Sequence, residues 1–207
     1  MIILSNKLLA PYVRFLNGAD TEPIDFLIIN KTVSASTDYG KITKYIKCDR
    51  GNIRFSVKSR SKDMSGATIN LNMQAGDVYT LCAIKKDNKY QILPISENTD
   101  KENLNLGHLR ICNLNRDQRG ISAYANDTCF VAEIPTDDIC RYVELVPSKY
   151  QISIKASDSG KEVINCGMQS IKSGRYNTLF VLTPKTAAGE ALGIYTIDAS
   201  SYDSMYL

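Results

Sequence analysis

Apolar and polar residues alternate along most of this chain with a period of two, the spacing of a strand that turns one face to a core and the other to water. The alternation is plainest from Tyr45 to Lys58, and the chain writes that stretch twice. Gly51-Asn52-Ile53-Arg54-Phe55-Ser56-Val57-Lys58 returns as Ser148-Lys149-Tyr150-Gln151-Ile152-Ser153-Ile154-Lys155, and Lys44-Tyr45-Ile46 returns as Arg141-Tyr142-Val143, each displaced by 97 positions. The pattern therefore predicts an all-β tandem pair.

Taken in order, the first copy predicts strands at Tyr12 to Leu16, Ile24 to Ile29, Thr32 to Ala35, Lys41 to Cys48, Asn52 to Ser59, Ala67 to Met73, Val78 to Lys85 and Lys89 to Ser96. Turn residues such as Gln74-Ala75-Gly76-Asp77 and Lys86-Asp87-Asn88 separate them. Short strands at this spacing are those of an antiparallel sandwich. The polar segment Glu97 to Asn103 marks a boundary. The second copy then predicts strands at Leu109 to Asn113, Ile121 to Ala125, Ile139 to Val146, Tyr150 to Ala156, Val163 to Met168, Tyr176 to Leu182 and Leu192 to Ile197. The domain reading is 1–97, a linker at 98–107, and 108–207 ending in a tail from Asp198 that has no counterpart in the first copy.

With 207 residues, each half is long enough to bury a small core, and 43% hydrophobic against 23% charged residues is a globular composition. No apolar run reaches the roughly 20 residues of a membrane-spanning helix. Met1 to Ala10 lacks a basic leader and reads as a leading strand or arm, so the expectation is synthesis in the cytoplasm without a signal peptide. Charge is unevenly spread: residues 1–100 hold 14 basic against 10 acidic residues, the remainder 11 against 12. Lys41, Lys44, Lys47, Arg50, Arg54, Lys58, Arg60 and Lys62 face only Asp49 and Asp63. That run makes Lys44, Arg54 and Lys58 a candidate stripe for an anionic ligand. No aromatic residues interleave as a base-stacking platform, which argues against nucleic acid.

Val13-Arg14-Phe15-Leu16-Asn17-Gly18-Ala19-Asp20 with Pro23-Ile24-Asp25, Tyr39-Gly40, Tyr45, and Ala75-Gly76-Asp77-Val78-Tyr79-Thr80-Leu81 resemble the bacterial family called domain of unknown function 4397. The second copy keeps Arg110, Asn113, Tyr142, Gly174, Thr178 and Leu179. The resemblance implies two tandem immunoglobulin-like antiparallel β-sandwich domains on the outside of a cell, and carries no catalytic residue with it. Asn17 and Asn113 depart from the family, standing where it usually has histidine.

Chemistry is sparse. The single histidine, His108, reads as a boundary residue in solvent, and Cys112 on the same strand lies about 13 Å away at roughly 3.3 Å per residue, too far for a dyad. The six cysteines include no Cys-x-x-Cys pair, so neither a metal nor a cofactor is expected. Cys48, Cys82 and Cys112 align with Leu145, Phe180 and Leu16 of the other copy and are expected in the core. Cys129 and Cys140 align with Thr32 and Thr43, and Cys166 has an ambiguous register, which makes these three candidate crosslinking cysteines.

The leading functional expectation is a non-enzymatic structural subunit of a bacterial surface layer, a spore coat or spore appendage. It would form a homo-oligomer or polymer, with other surface-layer proteins as partners, through edge strands, terminal arms and disulfides. The alternative is a surface ligand-binding or adhesion module for cell-wall glycan or another anionic polymer.

Overall fold

The computed structural model describes residues 10–19, 22–60, 66–99, 103–186 and 189–201. The leading arm over residues 1–9, Lys62 and Asp63 of the basic run, and residues 202–207 of the tail lie outside the described residues. Secondary structure is almost wholly β, and the contacts divide the chain into two compact units that separate between Asn98 and Thr99.

The first unit contains β1 (Tyr12–Asn17), β2 (Ile24–Ile28), β3 (Lys31–Thr37), β4 (Ile46–Lys47), β5 (Gly51–Ser59), β6 (Ala67–Met73), β7 (Val78–Lys86) and β8 (Lys89–Ser96). They form two sheets, ordered β4-β1-β7-β8 and β3-β2-β5-β6. All pairs are antiparallel except β1 with β7, which run parallel from Tyr12 opposite Val78 to Asn17 opposite Ala83. The alternation explains the core between the sheets. Val13 and Phe15 of β1, Phe26 of β2, Ile53, Phe55 and Val57 of β5, and Leu81 and Ala83 of β7 all point inward and are at most 5% exposed. Phe15 stacks on Phe26 at a centroid distance of 4.7 Å.

The second unit contains β9 (Gly107–Leu114), β10 (Gly120–Ala125), β11 (Thr128–Pro135), β12 (Asp138–Ile139), β13 (Val143–Leu145), β14 (Ser148–Ala156), β15 (Glu162–Ile171), β16 (Tyr176–Leu182) and β17 (Leu192–Ile197). Its sheets are ordered β12-β9-β16-β17, with β13 also on β9, and β11-β10-β14-β15. Here the parallel pair is β9 with β16. Leu109, Ile111, Ile121, Ile152, Ile154, Leu179 and Val181 fill the core, which is aliphatic where the first unit's is aromatic.

Three departures from the expected strands have local causes. The stretch Lys41 to Cys48 is strand only at Ile46–Lys47, because one bond of its ladder with β1 is made by a side chain: Thr43 N donates to Phe15 O, but Phe15 N donates to Thr43 Oγ1 at 2.9 Å. The expected strand from Ile139 to Val146 breaks into β12 and β13 for the same reason, with Ile111 N donating to Cys140 Sγ at 3.1 Å. The third is β11, which the pattern hid. A bulge against β10 and the positive φ of 51° at Glu133 break its alternation, as Ser36 at φ 51° does in β3.

Candidate functional site

The strand β1 places Arg14 on the sheet face away from its own core, between the inward Val13 and Phe15. Arg14 Nε donates to Thr80 Oγ1 at 2.8 Å and lies 2.9 Å from Glu97 Oε1. Thr80 Oγ1 donates a hydrogen bond to Glu97 Oε1, and Tyr45 OH donates to Glu97 Oε2 at 2.5 Å. The Arg14 guanidinium sits over the Tyr45 ring, 4.8 Å from its centroid. The second unit builds the same group from Arg110, Thr178, Asp198 and Tyr142. There Arg110 Nε donates to Thr178 Oγ1 at 2.8 Å, and Thr178 Oγ1 and Tyr142 OH donate to Asp198 Oδ2 at 2.5 and 2.6 Å. Arg110 lies 4.4 Å from the Tyr142 centroid. Both acids are at most 1% exposed and stand one residue past the last strand. With both acids buried and paired with an arginine, each cluster is a latch on the fold.

These latches correct two readings. Glu97, which the sequence sets in the polar boundary, is buried, and its backbone N donates to Val78 O. Asn98 is likewise tied to the first unit, accepting from Val78 N at 2.8 Å. Asp198, which the sequence sets at the start of a tail without counterpart, fills in the second unit the position of Glu97, its N donating to Tyr176 O. The repeat concealed this because the arginines, tyrosines and threonines are displaced by 96, 97 and 98 positions and the acids by 101.

His108 is also corrected. It is 2% exposed, not in solvent, because it belongs to β9 and its ring stacks flat on Tyr176 at 4.1 Å. Asn17 and Asn113 are buried and serve the turns after β1 and β9. Each donates through Nδ2 across to the other sheet, to Thr37 O and Ile134 O, while its Oδ1 accepts from the residue two positions on.

The thiols divide three ways. Cys48, Cys82 and Cys112 are buried, and Cys129 at the start of β11 is exposed. Cys140 and Cys166, two of the candidate crosslinking cysteines, are half-buried and pack against the second core, and the sulfur of Cys140 is turned in by the bond from Ile111 N. Burial pushes the Cys166 thiol up to about 11, with Glu162 adding to it, and burial likewise raises Cys140. Neither is a ready thiolate at neutral pH.

The basic stripe is also divided. Arg54 and Lys58 project from the outer face of β5, where Lys58 stands opposite Asp25, whose carboxylate pairs with Arg60 at 3.2 Å. Lys44 lies on the other sheet's side, in the segment that runs beside β1. There it joins Lys41 at a cleft of about 440 Å³, between β3 and residues 41–46. The hydroxyl residues Ser34, Ser36, Thr37 and Thr43 line this cleft, with Val33, Ile42 and Ile46 as apolar patches and Asp38 as its single acid. Lys41 and Lys44 are exposed and, among the described residues, neither ammonium has an ion-pair partner. The sequence alone points to Lys44 but not to the hydroxyl lining, which only the approach of β3 to the 41–46 segment assembles. Among the described residues no group of three His, Cys, Asp or Glu side chains is placed to hold a metal ion.

Comparison with known proteins gives a family and distant likenesses of fold. A search of curated proteins finds no match. Among solved structures, the chain is similar to a family 26 carbohydrate-binding module of Eubacterium rectale Amy13K, crystallised with maltoheptaose, at 9% identity over 93% of this chain and 99% of that one, with a TM-score of 0.32. It is also similar to a cell-adhesion protein, so described provisionally, of Bacteroides fragilis, at 9% identity over 87% of this chain and 84% of that one, with a TM-score of 0.21. The family described as "Domain of unknown function (DUF4397)" matches residues 11–124, which span all the strands of the first unit, β9, and all but the last residue of β10. The chain thus belongs to that family.

Proposed function

We propose that the protein is a non-catalytic binding module of a bacterial surface, and that its first unit holds an anionic polymer at the cleft between β3 and residues 41–46. The observation that carries this reading is the pair of exposed, unpaired ammonium groups of Lys41 and Lys44 beside a hydroxyl-lined groove. Among the described residues the buried arginines and acids pair with one another in the two latches and not with these lysines. Exposed ion pairs contribute only about 0.2–1 kcal/mol each and are screened over roughly 8 Å at physiological salt. Two such contacts do not retain a small anion. A polymer bearing carboxylates or phosphates at regular intervals returns the same contacts many times and gains through effective concentration. The surface setting rests on the family resemblance. A spore-coat or spore-appendage role gains no support from the fold or from the likenesses.

Salt-gradient elution of the full chain from an immobilised polyuronate tests the reading. Lys41→Glu with Lys44→Glu should elute at distinctly lower salt than the parent, while Arg54→Glu with Lys58→Glu, on the other sheet, should elute with it. Unchanged elution of the first double variant overturns the assignment.

A further inference from the structure

A second cleft, of about 450 Å³, lies in the second unit between the turn after β9, the turn that joins β14 to β15, and the segment that leads into β17. Its polar lining includes Asn115, Asp117, Gln118, Ser159, Glu162 and Glu190, over an apolar floor of Val163, Pro184 and Ala191. Asn115 is the informative residue. It is 1% exposed, its Oδ1 accepts from Asp117 N at 3.0 Å, and its backbone N donates to Asn113 Oδ1 at 3.0 Å. Among the described residues its amide Nδ2 has no hydrogen-bond partner, and the residue is part of the lining of this cleft. A buried amide donor left open in this way calls for an acceptor from outside.

The turn itself does not require that amide. In the first unit Ala19 occupies the equivalent place, its N donating to Asn17 Oδ1 at 3.1 Å in the same turn. The side chain is thus an addition of the second unit.

We propose that this cleft is a binding site for a neutral sugar. Asn115 supplies a hydrogen-bond donor, and the carboxylates of Asp117, Glu162 and Glu190 supply acceptors. A ligand must therefore accept at one point and donate at several others, as adjacent hydroxyl groups do. An anion is disfavoured, because three carboxylates outweigh the one ammonium of Lys161. A metal ion is disfavoured because an amide NH₂ is no ligand, and because these acids do not converge on a common point among the described residues. The site is separate from the lysine cleft of the first unit and does not rest on its assignment.

The test is a titration of the ¹⁵N-labelled full chain with chitotetraose and with cellotetraose, followed by NMR. The Asn115 side-chain amide and the Gln118 and Ser159 backbone signals should shift with a Kd on the order of 1 mM, the affinity of a site with few contacts. Asn115→Ala, which copies the first unit's alanine, should weaken binding about tenfold, equivalent to one lost hydrogen bond. Lys41→Glu with Lys44→Glu should leave the Kd unchanged. Should Asn115→Ala not fold, Glu162→Gln at an exposed position carries the same expectation. The proposal is overturned if neither sugar shifts these signals, if calcium chloride shifts them and the sugars do not, or if Asn115→Ala, or Glu162→Gln in its place, binds as the parent does.

Discussion

At the scale of single residues, Tyr195 shows how a polar atom without a partner becomes a measurable liability. Its hydroxyl is buried and, among the described residues, has no hydrogen bond. Burial, reinforced by the charge of Asp198, pushes its phenol from 10.0 up to about 12. The unfolded chain therefore loses this proton first, and stability falls as pH rises from about 10 to about 12. Tyr195→Phe removes the orphaned hydroxyl and leaves the ring in place. It should raise stability at neutral pH by about 1 kcal/mol in urea unfolding and flatten the alkaline loss. A clearly destabilised variant would show that the hydroxyl is engaged after all. Cys140 makes the complementary point, because a thiol standing where the first unit has Thr43 still accepts the β9 backbone N–H. A polar role and an apolar packing role are filled by one side chain, which is why its alignment with a threonine misled.

At the scale of elements, the latches tie the end of the last strand to the first strand through charge. Glu97 answers Arg14, Thr80 and Tyr45 at once, so Glu97→Ala takes the carboxylate away from a buried guanidinium and should cost about 3–5 kcal/mol. Arg14→Met made together with Glu97→Ala removes the stranded charge, and the pair should be less destabilising than Glu97→Ala alone. Urea unfolding of the three variants measures this, and a double variant worse than the single one would contradict the latch. Half of this cluster was legible in the sequence. Arg14 and Tyr45 lie in strands whose alternation and repeat are strong, and they recur as Arg110 and Tyr142 at nearly constant displacement. The acids were not legible, since each follows the last apolar residue of its unit and is surrounded by the polar residues of a loop; burial there comes from tertiary contact. The sheets themselves were legible because inward residues such as Ile53, Phe55 and Val57 are fixed by period alone. β11 and the interruptions at Thr43 and Cys140 were not, because a bulge or a side chain replaced the backbone ladder. The clefts belong to the same class, being made where loops and edges meet.

At the scale of the whole molecule, the question is what kind of assembly the thiols permit. A disulfide-linked polymer needs at least two accessible thiols on each subunit, one for each neighbour. Of the six cysteines, three are buried, and Cys140 and Cys166 are half-buried with thiols held protonated, the latter up to about 11. Attack on a disulfide requires the thiolate, so at pH 8 only Cys129 should exchange at a useful rate. A single reactive thiol ends a chain of linkages at two subunits. Mild oxidation followed by non-reducing electrophoresis should accordingly give monomer and dimer alone, and Cys129→Ser should give monomer alone. A ladder of higher bands from the folded protein would show that Cys140 or Cys166 reaches a neighbour, and would restore crosslinked assembly as a role for this chain. The dimer-only outcome would remove a disulfide-linked polymer as a role for this chain.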